Sequence, residues 1–108
     1  MAQDFRNALF RQIGTSDQAL LAGGNYDAVI GIRCCNILTS TIAVDVKIAK
    51  GGDDYFLAKG VSIPPNSAIE LIQGASKVIV QSGDVVKAQS GTANGFDCWI
   101  SVVDAIST

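Results

Sequence analysis

Between Tyr55 and Asp84 every apolar run is cut short after five or six residues. Pro64-Pro65-Asn66-Ser67 cannot continue a sheet, because proline lacks the ladder N–H and its ring fixes φ. Gln73-Gly74-Ala75-Ser76 and Ser82-Gly83-Asp84 supply two more reversals. Apolar runs of this length suit strands and fall short of helices. The same rhythm recurs through the chain. It predicts an all-β fold: a single β-sandwich, jelly-roll-like or immunoglobulin-like, of about eight strands, preceded by a short N-terminal arm or helix.

The arm is residues 1–13 and the sandwich domain residues 14–108. In the arm, Phe5, Leu9, Phe10 and Ile13 recur at helical spacing, with Arg6, Asn7, Arg11 and Gln12 between them. That pattern fits a turn or two of amphipathic helix, an arm ordered against a partner, or a segment lying on the domain's own sheet edge. Turns are expected at Gly14–Asp17, Gly23–Asn25, Thr39-Ser40, Gly51–Asp54 and Gly91–Gly95. Tyr26 to Leu38 is the longest apolar run, with Ala28, Ile30, Ile32 and Cys34 expected inward and Gly31, Arg33 and Cys35 outward. Asn36 is a place for a bulge or bend. From Thr41 to Lys50, Ile42, Val44, Val46 and Ile48 alternate with Ala43, Asp45, Lys47 and Ala49, the period-two mark of a half-buried strand. Phe96, Cys98, Ile100 and Val102 form one face of the closing strand, and Trp99 falls on the other.

A chain of 108 residues is one domain and buries roughly 65% of its unfolded surface, enough for a core without metal or disulfide. The apolar fraction of 48% excludes disorder, and the low aromatic content leaves the core to Val, Ile, Leu and Ala. The net charge is -2, and Lys47, Lys50, Lys59, Lys77 and Lys87 stand singly, so the clustered cations of a nucleic-acid surface are missing. No run reaches the ~20 apolar residues of a membrane-spanning helix. The segment MAQDFRNALF does not read as a signal peptide, which places the chain in the cytosol or in something assembled there.

Chemistry has few footholds. There is no histidine, so Ser-His-Asp and Cys-His pairs are out, and Cys34, Cys35 and Cys98 have no zinc spacing. They read as small buried hydrophobes in a reducing compartment. The carboxylates sit mostly where turns want them; Asp53-Asp54 lacks the calcium-loop spacing. No catalytic residue, cofactor or metal ligand is assigned, and the chain is expected not to be an enzyme. What remains is surface: Phe5, Leu9, Phe10 and Ile13 on the arm, and Arg33 and Trp99 on the outer sides of their strands, are the protein-interface candidates. The alternative for Trp99 is a buried corner of the core.

Several stretches together resemble the small virion structural proteins of tailed bacteriophages, cyanophages and other marine phages among them. They are FRNALFRQIGTS (5–16), AVIGI (28–32), VDVKI (44–48), YFLAKGVSIPPNSAIEL (55–71), KVIVQSGDVV (77–86) and WISVVDAI (99–106). Cys34-Cys35 and Trp99 have no counterpart in that pattern. The resemblance implies a β-sandwich subunit used in many copies: a capsid decoration or cement protein in the virion, assembled in host cytoplasm. Its implied partners are itself, as a homotrimer, and the major capsid protein or another virion protein. A neck, collar or tail accessory subunit is the second expectation, and a carbohydrate- or receptor-binding module the third.

Overall fold

The computed structural model describes residues 4–22, 27–72 and 78–104. These residues form nine strands and no helix: β1 (Asp4–Ile13), β2 (Gln18–Ala22), β3 (Asp27–Asn36), β4 (Ile42–Lys50), β5 (Asp53–Ile63), β6 (Ala68–Glu70), β7 (Val78–Val80), β8 (Val85–Ser90) and β9 (Phe96–Asp104). The turns expected at 23–25 and 73–76, and the last residues of the closing strand, lie outside the described residues. Two antiparallel sheets result, ordered β1-β9-β3-β6, with β7 also on β3, and β2-β8-β4-β5.

The pairing obeys one rule. When the chain is folded back at Gly51-Gly52, each strand before the turn meets its mirror-image counterpart after it. β4 pairs with β5, β3 with β6 and β7, β2 with β8, and β1 with β9. A long hairpin wrapped into two sheets is the eight-strand jelly roll, here with its sixth strand in two pieces. Of the two expected sandwiches, the jelly roll is the one formed. The turn at its midpoint needs positive φ at both central residues, and Gly51 (60°) and Gly52 (88°) supply it. At the Pro64-Pro65 reversal, Ser67 N–H donates to the Pro64 carbonyl at 3.3 Å. Asn66 takes φ 56°, the type II arrangement with proline at the second position.

The core is aliphatic, as the composition predicts, with Phe96 its one large aromatic. Val44, Val46, Val86, Ile32, Ile63 and Ile100 are fully buried around it. Asn36 ends β3 inside this core. Its Nδ2 donates to the carbonyls of Ser40 (2.8 Å), Ile63 (2.9 Å) and Pro64 (3.1 Å), and its Oδ1 accepts Leu38 N–H (2.9 Å). One buried amide thus pins the β3–β4 turn to the end of β5, which satisfies groups that would be costly to bury alone.

Two expectations need correction. Residues 4–13 form no helix; they are an edge strand running antiparallel to β9 from Asp4↔Asp104 to Ile13↔Phe96. The register slips between Phe10 and Ile13, where Gln12 takes φ 52°. That bulge turns Ile13 into the core, where it is buried. In β3 Val29, Ile32 and Cys34 point into the core; Ala28, expected inward, is buried on the opposite face from Val29, and Ile30 is exposed. A second slip, between Val29 and Gly31, pushes Ile30 out and restores the alternation beyond it.

Candidate functional site

β9 sends Phe96, Cys98, Ile100 and Val102 inward, so Asp97, Trp99 and Ser101 face out. The register of the sheet then lines up Leu9, Trp99, Arg33 and Glu70 in one row across four strands. Trp99 is 52% exposed and Leu9 63%, with Phe5 at 76% further along β1. The corner-of-the-core reading of Trp99 therefore gives way to an exposed aromatic on a sheet face. Of three hollows that border it, two are of about 290 Å³ each. One lies over Gly31, between Arg33, Glu70 and Ser101. The other runs between Leu9, Arg11, Arg33 and Asp97.

Of the residues singled out from sequence, Phe5, Leu9, Arg33 and Trp99 share this outer face. Phe10 and Ile13 do not. Phe10 is half-buried against the core and Ile13 belongs to it.

The charges on this face are unevenly occupied. Between β6 and β7 the middle of β3 has no strand partner on the side away from β9. There Glu70 Oε2 accepts Ile32 N–H at 2.7 Å and Ile72 N–H at 3.3 Å. Asp97 Oδ1 accepts Gln12 N–H at 2.9 Å, inside the β1 bulge. Both carboxylates therefore serve the backbone. Arg11 and Arg33 make no ion pair among the described residues, so the hollow they border with Asp97 holds two cations to one carboxylate on a chain of net charge -2.

A second apolar surface lies on the opposite flank, where edge strand β5 stands beside β7. Tyr55, Phe56, Leu57 and Ile79 are all exposed. With Ile48 they line a hollow of about 500 Å³ whose rim carries Lys50, Gln81 and Asp84. Lys50 Nζ reaches Asp84 Oδ1 at 3.2 Å and Gln81 Oε1 at 3.1 Å. The Gln81 N–H bond to Asp84, at 2.9 Å, holds that carboxyl below the usual carboxylate range, and Lys50 adds to the effect. Outside β5, Lys47 lies 3.0 Å from both Asp17 and Asp54, whose hydrogen bonds push its ammonium pKa up. Lys59 sits 4.6 Å above the Phe56 ring. The sequence reading named neither Phe56 nor Leu57 as surface. The available signal was three consecutive apolar residues on one strand, since a period-two strand cannot bury all three.

Two of the three cysteines are placed for packing, and Cys35 lies half-buried in the lining of the hollow beside Trp99. Cys34 and Cys98 face each other across β3 and β9, both buried. The hydrogen bond between the thiols, together with burial, pushes the Cys34 thiol far above its ordinary value. A thiol that does not ionise is a poor nucleophile. Among the described residues no three His, Cys, Asp or Glu side chains gather where a metal ion could be held.

No family model matches the sequence, and no curated protein matches it. Solved structures do match in fold. The crystal structure of a pentameric capsid protein from metagenomic phage sequences aligns with 94% of this chain, at 14% identity and a TM-score of 0.52. A chain of the acid-stable capsid of Helicobacter pylori bacteriophage KHP30 aligns with 95% of it, at 15% identity and a TM-score of 0.60. The alignments take in 64% of the first protein and 87% of the second, so this chain spans just under two thirds of the metagenomic protein's length. At such identities the likeness is one of fold.

Proposed function

We propose that this chain is a structural subunit of a tailed-phage particle, carried in many copies on the outside of the head as a decoration or cement protein. The observation that carries the reading is the wrapped-hairpin sandwich, which shares its fold with two phage capsid proteins along nearly its whole length. The exposed row through Leu9, Trp99 and Arg33 supports it from a second side, because Trp and Arg dominate the energetics of protein interfaces. The mechanism is mass action. A protein that binds only the assembled shell stabilises that shell by the free energy of its binding. Phe5, Leu9, Arg33 and Trp99 form the contact face. The partners are the major capsid protein, or another virion protein, and further copies of this chain as a homotrimer. The net charge of -2 suits an exterior position away from packaged DNA.

Copy number tests this directly. Quantitative mass spectrometry of purified particles should find hundreds of copies. A dozen or fewer would move the chain to the neck, collar or tail, and absence from particles would overturn the proposal. One observation favours a carbohydrate-binding module as a second reading. Trp99 borders a glycine-floored hollow that also holds Arg33, Glu70 and Ser101, an aromatic face beside polar groups. A glycan array without hits removes that reading.

A further inference from the structure

The two exposed apolar surfaces differ in the charge they leave unpaired among the described residues: Arg11 and Arg33 beside Trp99, and Asp53 on β5, where Lys47, Lys50 and Lys59 are each paired to a carboxylate. The hollow beside Trp99 is walled by Leu9 and bordered by Arg11, Arg33 and Asp97; neither arginine makes an ion pair among the described residues, and Asp97 accepts the Gln12 N–H. On the far flank, β5 opens with Asp53-Asp54 and continues into Tyr55, Phe56 and Leu57. Asp53 is exposed and makes no ion pair among the described residues, while Asp54 is held by Lys47. β1 and β5 are each the last strand of their sheet, one on each flank of the sandwich. Each therefore presents an unpaired row of backbone groups. We infer that the Leu9–Arg11–Arg33–Trp99 hollow of one copy receives the Asp53–Leu57 segment of the next, carboxylate against guanidinium and Tyr55 or Leu57 against Trp99. This deepens the proposed function, on which it rests, by identifying one partner of the outer face as a second copy of the chain.

The alternative symmetry is disfavoured by the same charges. A two-fold contact of hollow on hollow opposes arginine to arginine, and one of β5 on β5 brings Asp53 toward its own copy. A contact between unlike surfaces is heterologous, and when its rotation closes it makes a ring. It also covers both apolar patches of every subunit at once, which neither two-fold contact does.

The test uses two one-sided variants of the full chain. Leu9→Glu with Arg11→Glu disables the hollow and leaves the β5 segment. Asp53→Lys with Tyr55→Lys disables the segment and leaves the hollow. All four side chains are exposed, so both variants should melt cooperatively near the wild-type temperature. Analytical ultracentrifugation of the wild type across a concentration series should show a single closed oligomer, three copies for a cap over shell junctions. Each variant alone should be monomeric. Their equimolar mixture should stop at a dimer, because only one complementary pair of faces survives. A wild type that stays monomeric at every concentration, variants that keep the wild-type mass, or a mixture that does not associate would each overturn the inference. Particle incorporation is measured separately. A monomeric wild type that still co-purifies with particles in high copy sinks the ring and leaves the proposed function standing.

Discussion

Asn36 shows how much of the sandwich can hang on one side chain. Its amide ties three carbonyls and one N–H from two separate stretches of chain, and it is completely buried. Replacing it with Ala strands those groups in the core, so Asn36→Ala should lower the unfolding free energy by about 3 kcal/mol in urea titration. Sequence marked the position as irregular but gave no hint of the partners, which lie up to 28 residues away. Asp84 is a titrating counterpart. Its folded pKa lies below the ordinary aspartate value of 3.8, so the stability it contributes is complete above that value. It is lost as pH falls through the lower, folded pKa. Asp84→Asn should thus be less stable than wild type at pH 7, and the gap should narrow as pH drops below about 4. Thermal melts of the two proteins from pH 7 to pH 2 check the sign.

Among the elements, β1 was the hardest to read and β4 the easiest. In β4, four inward aliphatics alternate with four other residues without interruption, so period two is unambiguous. In β1, positions 5, 9 and 13 satisfy a helical spacing and a strand spacing equally well. The bulge at Gln12 then breaks the strand's alternation. What decides the matter is β9, about ninety residues away in sequence, and no local signal reports it. The bulge that expels Ile30 is equally silent, because nothing in Val29-Ile30-Gly31 demands a slip. The reversals were legible because turns are local: glycine, proline and asparagine each impose their own backbone geometry. Removing residues 1–13 should now cost stability directly. It takes Ile13 out of the core, worth about 1.5–3 kcal/mol on its own, and bares the β9 edge. Residues 14–108 should melt well below the full chain and aggregate in size-exclusion chromatography. A monomeric, cooperatively melting 14–108 that no longer joins particles would instead mark the segment as a docking arm.

At the scale of the molecule, the strand count and the sandwich were within reach of the sequence, and the order of strands was not. Alternation tells each strand which side is buried but not which neighbour it has. The same gap hid the candidate surface. Arg33 and Trp99 were each readable as outward-facing, but their adjacency, and Leu9 as the third member of the row, come only from the register of three distant strands. A chain whose first strand must find its last also closes very large loops before it is rewarded, and folding of such topologies is slow.

The meeting of Asp4 with Asp104 has a practical use. A gene rearranged to begin at Asp53 and end at Lys50, with the old extremities spliced by a short glycine-serine bridge, would keep every ladder and lose only the Gly51-Gly52 bend. Such a permutant should give the wild-type circular-dichroism spectrum with a lower melting temperature. It would also place both new ends beside Tyr55, so a bulky fusion there should block ring closure.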